Sequence, residues 1–321
     1  MRVIIYGVGA VGGAVAAALV ESGQEVIGIA RGAQLEAIRQ NGLRVRSPVF
    51  DRVVKLECVS DPGEIAFRED DAILLCMKTQ DTAPALEALR AAGVDKQPIF
   101  CAQNGVENER IALRVFPNVH GITVMLPALL LAPGDVVTWG EPQFGYFDIG
   151  RYPHGHDADD VRLSEAFRGS KITPFVLDDV MPSKYRKLLH NVGNITQAAL
   201  GRGVDTGEIG AALKDEARAV YDAHGIKPRD GEKHEPERRE LMRFGTIEGI
   251  ENIGGSTAQS LARGAGSVET DYLNGEISLM GRLAGVPTPV NDAMTRLGAR
   301  LAREGVAPGS MTLDDLRRLV G

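Results

Sequence analysis

Lys187, Asn191 and Asn194 stand at i, i+4 and i+7 in the segment Lys184-Tyr185-Arg186-Lys187-Leu188-Leu189-His190-Asn191-Val192-Gly193-Asn194. On one helix they share a face, bordered by an apolar stripe of Leu188, Val192, Ile195 and Ala199. An ammonium with two carboxamides suits reduction of a carbonyl, because the oxygen that gains negative charge as a hydride arrives must be stabilised and protonated. A lysine that snorkels while the two amides bond neighbouring backbone gives the same pattern. Glu269 is the second candidate. Read as a helix starting near Ser267, the run from Val268 to Ile277 puts Glu269, Leu273, Ile277 and Met280 on one stripe. A carboxylate on an apolar face needs a partner or a proton, although a first-turn Glu also complements the helix dipole. Upstream, Ser256-Thr257-Ala258-Gln259 has the form of a capping box, in which the hydroxyls serve the helix.

The elements that position this chemistry begin at the N-terminus. An apolar run, Val3-Ile4-Ile5-Tyr6, leads into Gly7-Val8-Gly9-Ala10-Val11-Gly12, which reads as strand, glycine turn and helix. Gly7 suits the positive φ of a tight turn, Gly9 has no Cβ to block a pyrophosphate, and Gly12 lets the helix pack closely on its strand. Phosphates then sit on the free N–H groups of a helix from about Val11 to Ser22, and Gln24 to Ala30 supplies the second strand of a βαβ unit. Where an NAD site places an acidic residue about 20 positions past the glycines, this chain has Arg31-Gly32. A guanidinium forks onto a 2′-phosphate, which points to NADP(H); a solvated arginine, with Arg39 nearby, is the other reading. Two loops, Cys76-Met77-Lys78-Thr79-Gln80 and Gln103-Asn104-Gly105-Val106-Glu107-Asn108-Glu109, follow buried strands, at the strand ends where open α/β sheets bind ligands. Asn104-Gly105 is equally an ordinary turn dipeptide and Lys78 an ordinary loop lysine.

Strand and helix patterns alternate to about residue 125, which predicts a doubly wound parallel sheet. After Pro127 the pattern predicts hairpins, with Asp135 to Trp139 and Gln143 to Ile149 flanking a Gly-Glu-Pro turn, then a helix near Asp160 to Arg168 and a strand from Thr173 to Leu177. From Met181 the period is helical. These patterns divide the 321 residues into a Rossmann-type domain, 1–179, and a helical domain, 180–321, with a substrate cleft expected between them. The charged stretch from Gly225 to Glu240, with two prolines, reads as a solvated connection. A net charge of −7 argues against nucleic acid or an anionic membrane as partner, so an anionic ligand must be held by local donors. Cys58, Cys76 and Cys101 are scattered in apolar runs and read as buried thiols in a reducing compartment. No zinc motif is present, and His154 and His156 are too short of companions to bind a metal. No stretch of 18 apolar residues occurs and the N-terminus is already committed to a strand, so neither membrane span nor signal peptide is expected, and the location expected is cytoplasmic.

Together these segments resemble the ketopantoate reductases (2-dehydropantoate 2-reductases) over nearly the whole chain. The motifs that carry the resemblance are Gly7 to Gly12, the Arg31 strand end, Lys78-Thr79-Gln80-Asp81, Gln103-Asn104-Gly105, Lys187 to Asn191, Glu269 to Gly275 and Val286-Pro287-Thr288-Pro289-Val290-Asn291. The resemblance implies an N-terminal Rossmann-type doubly wound parallel sheet with a C-terminal all-helical domain. It also implies NADPH-dependent reduction of a 2-oxo acid to a 2-hydroxy acid. Lys187 would donate the proton to the ketone oxygen, with Glu269 as the second catalytic residue that also helps bind the substrate, and Asn104, Asn191, Asn194, Ser256 and Thr257 would bind substrate. Gly7, Val8, Gly9, Ala10, Val11, Gly12, Arg31, Lys78 and Asn104 would hold NADP(H). An unperturbed lysine, with a pKa near 10.4, would stay charged beside Glu269 at neutral pH. Two positions depart from the family pattern. Its second helix amide falls eight residues after the lysine, where Ile195 stands, with Asn194 one residue early. Its Asp four residues after a substrate-binding Ser is replaced near Ser256 and Thr257 by Ser260 and Leu261. The reaction type is therefore better determined than the substrate; alternatives are another 2-oxo acid, an imine of the opine type, or a non-catalytic NADP(H)-binding regulator. The last is disfavoured by Lys187, Asn104 and Glu269 together. Dehydrogenases of this architecture often form homodimers, which the sequence does not decide.

Overall fold

The computed structural model describes residues 1–320 and divides the chain into two units. The first comprises residues 1–103, 108–183 and 230–250; the second comprises 104–107, 184–229 and 251–321. A single cut at Asp179 therefore differs from the observed division, because the chain returns to the first unit at 230 and leaves it again at 251.

In chain order the strands are β1 (Arg2–Tyr6), β2 (Val26–Ile29), β3 (Leu43–Ser47), β4 (Phe50–Val54), β5 (Glu57–Val59), β6 (Asp71–Leu75), β7 (Ile99–Cys101), β8 (Val119–Met125), β9 (Ala128–Ala132), β10 (Asp135–Thr138), β11 (Gly140–Pro142), β12 (Gly145–Arg151), β13 (Ile172–Val176) and β14 (Met242–Phe244). Eight form one sheet in the order β13-β12-β8-β7-β6-β1-β2-β5. The six from β8 to β5 are mutually parallel, while β12 lies antiparallel to β8. Strand order reverses between β1 and β6, the switch point at which doubly wound sheets bind ligands. β1 shows why its residues form an interior strand: Val3 and Ile5 enter the core on one face, and Ile4 enters the core on the other.

The helix Ala10–Glu21 follows β1 and is built almost wholly from Ala, Val, Leu and Gly. Such a helix must be covered on all sides. A second sheet, β4-β3-β10-β9, lies against it, so closely that a Cβ on Gly13 would stand 2.7 Å from Val136 Cγ2. β10 and β12 do not pair as the expected hairpin. β10 pairs with β3 and β9, β12 belongs to the large sheet, and the Gly-Glu-Pro segment is itself strand β11, antiparallel to β14. Alternation shows that a segment is a strand, but the edge it joins is decided by residues far away in the chain.

The charged stretch from Gly225 to Glu240 is exposed or partly exposed as expected, with one exception. Arg238 is fully buried, its Nη1 donates to Asp148 Oδ1 at 2.5 Å, and its guanidinium lies 3.8 Å from the Phe175 ring centre and 5.2 Å from that of Tyr146. Asp148 also accepts from the Ser183 hydroxyl. Ile247 and Ile250 pack on Leu129, Val137 and Trp139. A buried arginine is tolerated because a carboxylate and two rings replace its water.

Among the described residues the second unit is helical and contains no strand. Its principal helices are the C-terminal part of Met181–Asn191, then Asn194–Leu200, Gly207–Ala223, Ser256–Ala262, Asn274–Ala284, Pro289–Glu304 and Leu313–Val320. No described helix is long and apolar enough to cross a membrane.

Candidate active site

The glycine turn sits at the carboxyl end of β1. Gly7 has φ +98°, and a Cβ there would stand 2.8 Å from the Met77 backbone nitrogen. A Cβ on Gly12 would collide with the Gly7 carbonyl oxygen, so the helix can approach its strand only with glycine at this position. A Cβ on Gly9, by contrast, would meet nothing within 4 Å. Gly9 is the N-cap of Ala10–Glu21, no side chain caps that helix, and its first turn carries no acidic residue. The N–H groups of Ala10, Val11 and Gly12 open the helix, where donors and dipole both favour an anion, so the turn fits a dinucleotide pyrophosphate. Val8 is buried, and its carbonyl accepts from Gln34 Nε2 at 2.8 Å while Gln34 Oε1 accepts from Gly134 N. Gln34 braces the turn from outside the motif and carries no sequence signal of its own.

Arg31 follows β2, and its side chain is 78% exposed, with one loose pairing to Asp81 at 3.8 Å. Arg39 is committed elsewhere, donating to the Cys58 carbonyl at 3.0 Å and pairing with Glu64 at 3.6 Å. Of the two arginines, Arg31 is thus the one open to an anionic ligand. Lys78 is partly buried and occupies the position before the short turn Thr79–Asp81 after β6, without capping it through its side chain. A buried network fastens that turn to the next strand's loop: Gln103 Nε2 donates to Thr82 Oγ1 at 2.7 Å, Thr82 Oγ1 to Asn108 Oδ1 at 2.8 Å, and Asn108 Nδ2 to Thr79 Oγ1 at 3.1 Å. The motif Lys78-Thr79-Gln80-Asp81 signalled the turn, whereas its bonding to Gln103 and Asn108 is a tertiary fact.

In the helical unit, Lys187 and Asn191 lie one turn apart on Met181–Asn191. That helix ends at Asn191, and after a turn at Val192-Gly193 a second begins at Asn194. Asn194 therefore opens a new helix instead of continuing the Lys187 face. Ile195 is fully buried and Leu261 nearly so, both as core residues. Lys187 is partly buried. Burial pushes its pKa down, the like charge of Lys184 pushes the same way and Glu269 opposes them, leaving it at about 7. Lys187 is therefore only partly charged at neutral pH, because desolvation outweighs the carboxylate. Asn191 is 8% exposed, and its Nδ2 is buried with no partner, a costly state that a bound acceptor would relieve.

Glu269 does not lie on a helix that starts near Ser267. Residues Glu269–Tyr272 form a 3-10 turn, the backbone breaks at Leu273 (φ −114°, ψ −81°), and the α-helix begins at Asn274. The predicted stripe through Leu273 and Ile277 is therefore not one helical face. The break coincides with the Asn274 amide, whose Nδ2 donates to Val192 O at 2.9 Å and to Asn291 Oδ1 at 3.0 Å. Asn104 belongs to the same unit. Its neighbour Gly105 has φ +81°, and a Cβ there would stand 3.0 Å from Tyr272 O, so the Asn104 loop lies on the Glu269 turn.

The capping box does not form. Gly255 is the N-cap of Ser256–Ala262 and no side chain caps it, so the Ser256 hydroxyl is not engaged there; Thr257, one residue on, is 3% exposed. Gly255 N donates to Gln197 Oε1 at 3.0 Å, and a Cβ on Gly255 would stand 3.5 Å from Asn194 Oδ1, which places Asn194 beside the start of the Ser256 helix. The Ser260 hydroxyl turns back to the Ser256 carbonyl at 2.9 Å. Gln197 was missed by sequence reasoning; the glycine pair Gly254-Gly255, which admits its side chain, is the available signal. The structure thus groups Lys187, Asn191, Glu269 and Asn104, with Asn194 at the Ser256 helix, in one unit and the Gly7 to Gly12 turn, Arg31 and Lys78 in the other.

A grouping of His120, Asp157 and Asp159 has metal-ligand chemistry, but its atoms are already engaged. His120 Nδ1 meets Asp160 at 2.8 Å, His120 Nε2 meets Asn118 at 3.0 Å, and Arg151 donates to Asp157 at 2.6 Å. Burial raises the Cys58 and Cys76 thiols to about 11 and about 12, so they are protonated at neutral pH.

Comparison with known proteins adds the following. The family model described as Ketopantoate reductase PanE/ApbA matches residues 3–153, and that for its C-terminal region matches 179–301. The 2-dehydropantoate 2-reductase of Archaeoglobus fulgidus is 29% identical over 305 residues, covering 92% of this chain and 96% of the relative. That of Pyrococcus horikoshii is 27% identical over 315 residues, covering 97% and 100%. A solved PanE/ApbA family ketopantoate reductase from Ralstonia eutropha JMP134 has a TM-score of 0.77 at 29% identity, covering 95% of this chain and 99% of that one. D-mandelate dehydrogenase with NADH and anilino(oxo)acetate has a TM-score of 0.78 at 23% identity, covering 96% and 100%, a likeness of fold.

Proposed function

The chain belongs to the ketopantoate reductase family, a family of oxidoreductases, and on that premise we propose that it reduces 2-dehydropantoate to pantoate with NADPH. The observation that carries this reading is the convergence of Lys187, Asn191, Glu269 and the Asn104 loop in one unit, with Lys187 brought to about 7. NADPH, when bound, supplies the hydride to the carbonyl carbon of the 2-oxo acid. As the carbonyl π electrons move to oxygen, Lys187 Nζ donates its proton there, and the resulting neutral amine is reprotonated from solvent. A donor with a pKa near the working pH gives up its proton readily without leaving most of the enzyme in the wrong form. Asn191 Nδ2, buried without a partner, is suited to donate to a substrate oxygen, and Asn104 lies on the turn that carries Glu269. Glu269 supports the charged form of Lys187. The N–H groups of Ala10, Val11 and Gly12 would hold the pyrophosphate, Lys78 would line the nicotinamide side, and Arg31 would select the 2′-phosphate of NADP(H). We place the protein in the cytoplasm, in keeping with its three cysteines, none of them in a disulfide, of which Cys58 and Cys101 are buried and Cys76 is partly buried.

A second reading, reduction of a different 2-oxo acid, is favoured by Ser260. Its hydroxyl is turned onto its own helix, so the position supplies no carboxylate to a substrate. The test is cofactor oxidation by purified protein with 2-dehydropantoate and a panel of 2-oxo acids, comparing NADPH with NADH. Turnover of 2-dehydropantoate with NADPH well above the rest is expected; turnover confined to another acid moves the function to that substrate, and NADPH binding without turnover removes it from the reductases.

A further inference from the structure

Asn274 is 1% exposed and Asn291 is fully buried. Two carboxamides so deep in a helical unit need a reason, because each must replace its water with protein partners. The single Nδ2 group of Asn274 donates to Val192 O and to Asn291 Oδ1. Asn291 Nδ2 donates in turn to Leu213 O at 3.1 Å and to Glu216 Oε2 at 2.8 Å. The Glu216 carboxylate also accepts from the backbone nitrogens of Val290 at 2.8 Å and Asn291 at 2.9 Å, capping the helix Pro289–Glu304 from a neighbouring helix. The chain of bonds therefore starts at a helix N-terminus fixed by a carboxylate and ends on Val192 O, the residue after Asn191, where the Lys187 helix stops.

Asn274 is also the first residue after the break that ends the Glu269 turn. One side chain thus ties together the end of the segment bearing Lys187 and Asn191 and the end of the segment bearing Glu269. Resting on the reductase reading above, we propose that Asn274, braced by Asn291, is a positioning residue that sets the spacing between the Lys187 helix and the Glu269 turn. The charged groups acting on Lys187 are Lys184 on its own helix and Glu269 on the turn, so this spacing governs both its reach and its charge. Small misplacements of a proton donor lower turnover far more than they lower binding.

The experiment compares wild type, Asn274→Ala, Asn291→Ala and, as a stability control in the same unit, Leu316→Ala, which truncates a fully buried side chain of the last helix. Each is assayed for kcat, KM for the 2-oxo acid, NADPH affinity and melting temperature. Asn274→Ala should lose on the order of tenfold in kcat per NADPH-binding site, with KM and NADPH affinity within about threefold of wild type. Leu316→Ala should lose melting temperature but not kcat. Asn291→Ala, which removes only the brace, should lie between and serves where Asn274→Ala does not fold. A second readout needs no turnover: the pH dependence of Lys187 acetylation by acetic anhydride, followed by mass spectrometry, should move in Asn274→Ala and not in the control. Equal kcat losses in Asn274→Ala and Leu316→Ala, or a Lys187 labelling profile that moves in neither, overturn the proposal. Wild-type protein that turns over no 2-oxo acid overturns the reductase reading instead, and the labelling comparison then decides the positioning role by itself.

Discussion

The two candidate sites, one in each unit, are built in different ways. The cofactor site is made of backbone: a run of six residues, three of them glycine, turns into a helix whose first N–H groups, on Ala10, Val11 and Gly12, are presented, while the side chains of Val8, Ala10 and Val11 pack on the core. The proposed catalytic site is made of side chains brought from four separate segments, around Asn104, Lys187, Ser256 and Glu269, and tied by the amides of Gln197 and Asn274. A backbone site needs one local conformation, so short-range sequence specifies it. A side-chain site needs several helices in register, so it depends on packing that no single segment encodes.

The largest effect should come from the proposed catalytic site. Lys187→Ala should lower kcat about 100-fold or more while NADPH affinity, measured by fluorescence titration, stays near wild type. Near-normal turnover would take Lys187 out of the chemistry and dissolve the contrast between the two sites. The backbone character of the cofactor site is tested by two glycines that differ only in what surrounds them. Gly12→Ala should destabilise the protein by about 1–3 kcal/mol or more in denaturant unfolding, because its Cβ meets the Gly7 carbonyl. Gly9→Ala should change stability by no more than about 0.5 kcal/mol yet weaken NADPH on the order of tenfold. Equal effects at both positions would mean that Gly9 does not face a phosphate. The one side chain assigned to cofactor choice is smaller in reach: Arg31→Ala should reduce the preference for NADPH over NADH about tenfold, read from the two Kd values. An unchanged ratio would return Arg31 to the solvated surface.

The smallest effects are the most diagnostic of electrostatics. As proton donor Lys187 must be protonated, so kcat should fall as pH rises through about 7. Glu269 raises the Lys187 pKa, so Glu269→Gln should move this limb to lower pH; Lys184 lowers it, so Lys184→Gln should move the limb to higher pH. Shifts in the same direction for both variants would show that a group other than Lys187 titrates.

The cofactor turn was readable because its function lies in φ angles and missing Cβ atoms that only glycine allows, and Gly7, Gly9 and Gly12 lie within six residues. The helical period likewise placed Lys187 and Asn191 one turn apart. Where the reading failed, a distant partner had overridden a local pattern. The helix expected from Ser267 breaks at Leu273 because Asn274 bonds Val192 and Asn291. The capping pattern at Ser256 is unused because Gln197 accepts from Gly255. The Asp135 to Ile149 hairpin separates because β10 finds β3, some 90 residues earlier in the chain. The charged stretch from Gly225 to Glu240 is exposed or partly exposed as expected except at Arg238, which finds Asp148 between two rings.

Sequence by itself determined the alternation of strand and helix, the glycine turn, the Arg31 strand end and the residue types of the proposed catalytic site, all of which follow from short-range sterics and periodicity. Only the tertiary structure decided that Lys187 falls to about 7, that Asn104 rests on the Glu269 turn and that Asn274 joins two active segments. The physical reason is common to all three: desolvation, charge coupling and buried hydrogen bonds depend on distances between residues far apart in the chain, and those distances exist only once the helices have packed.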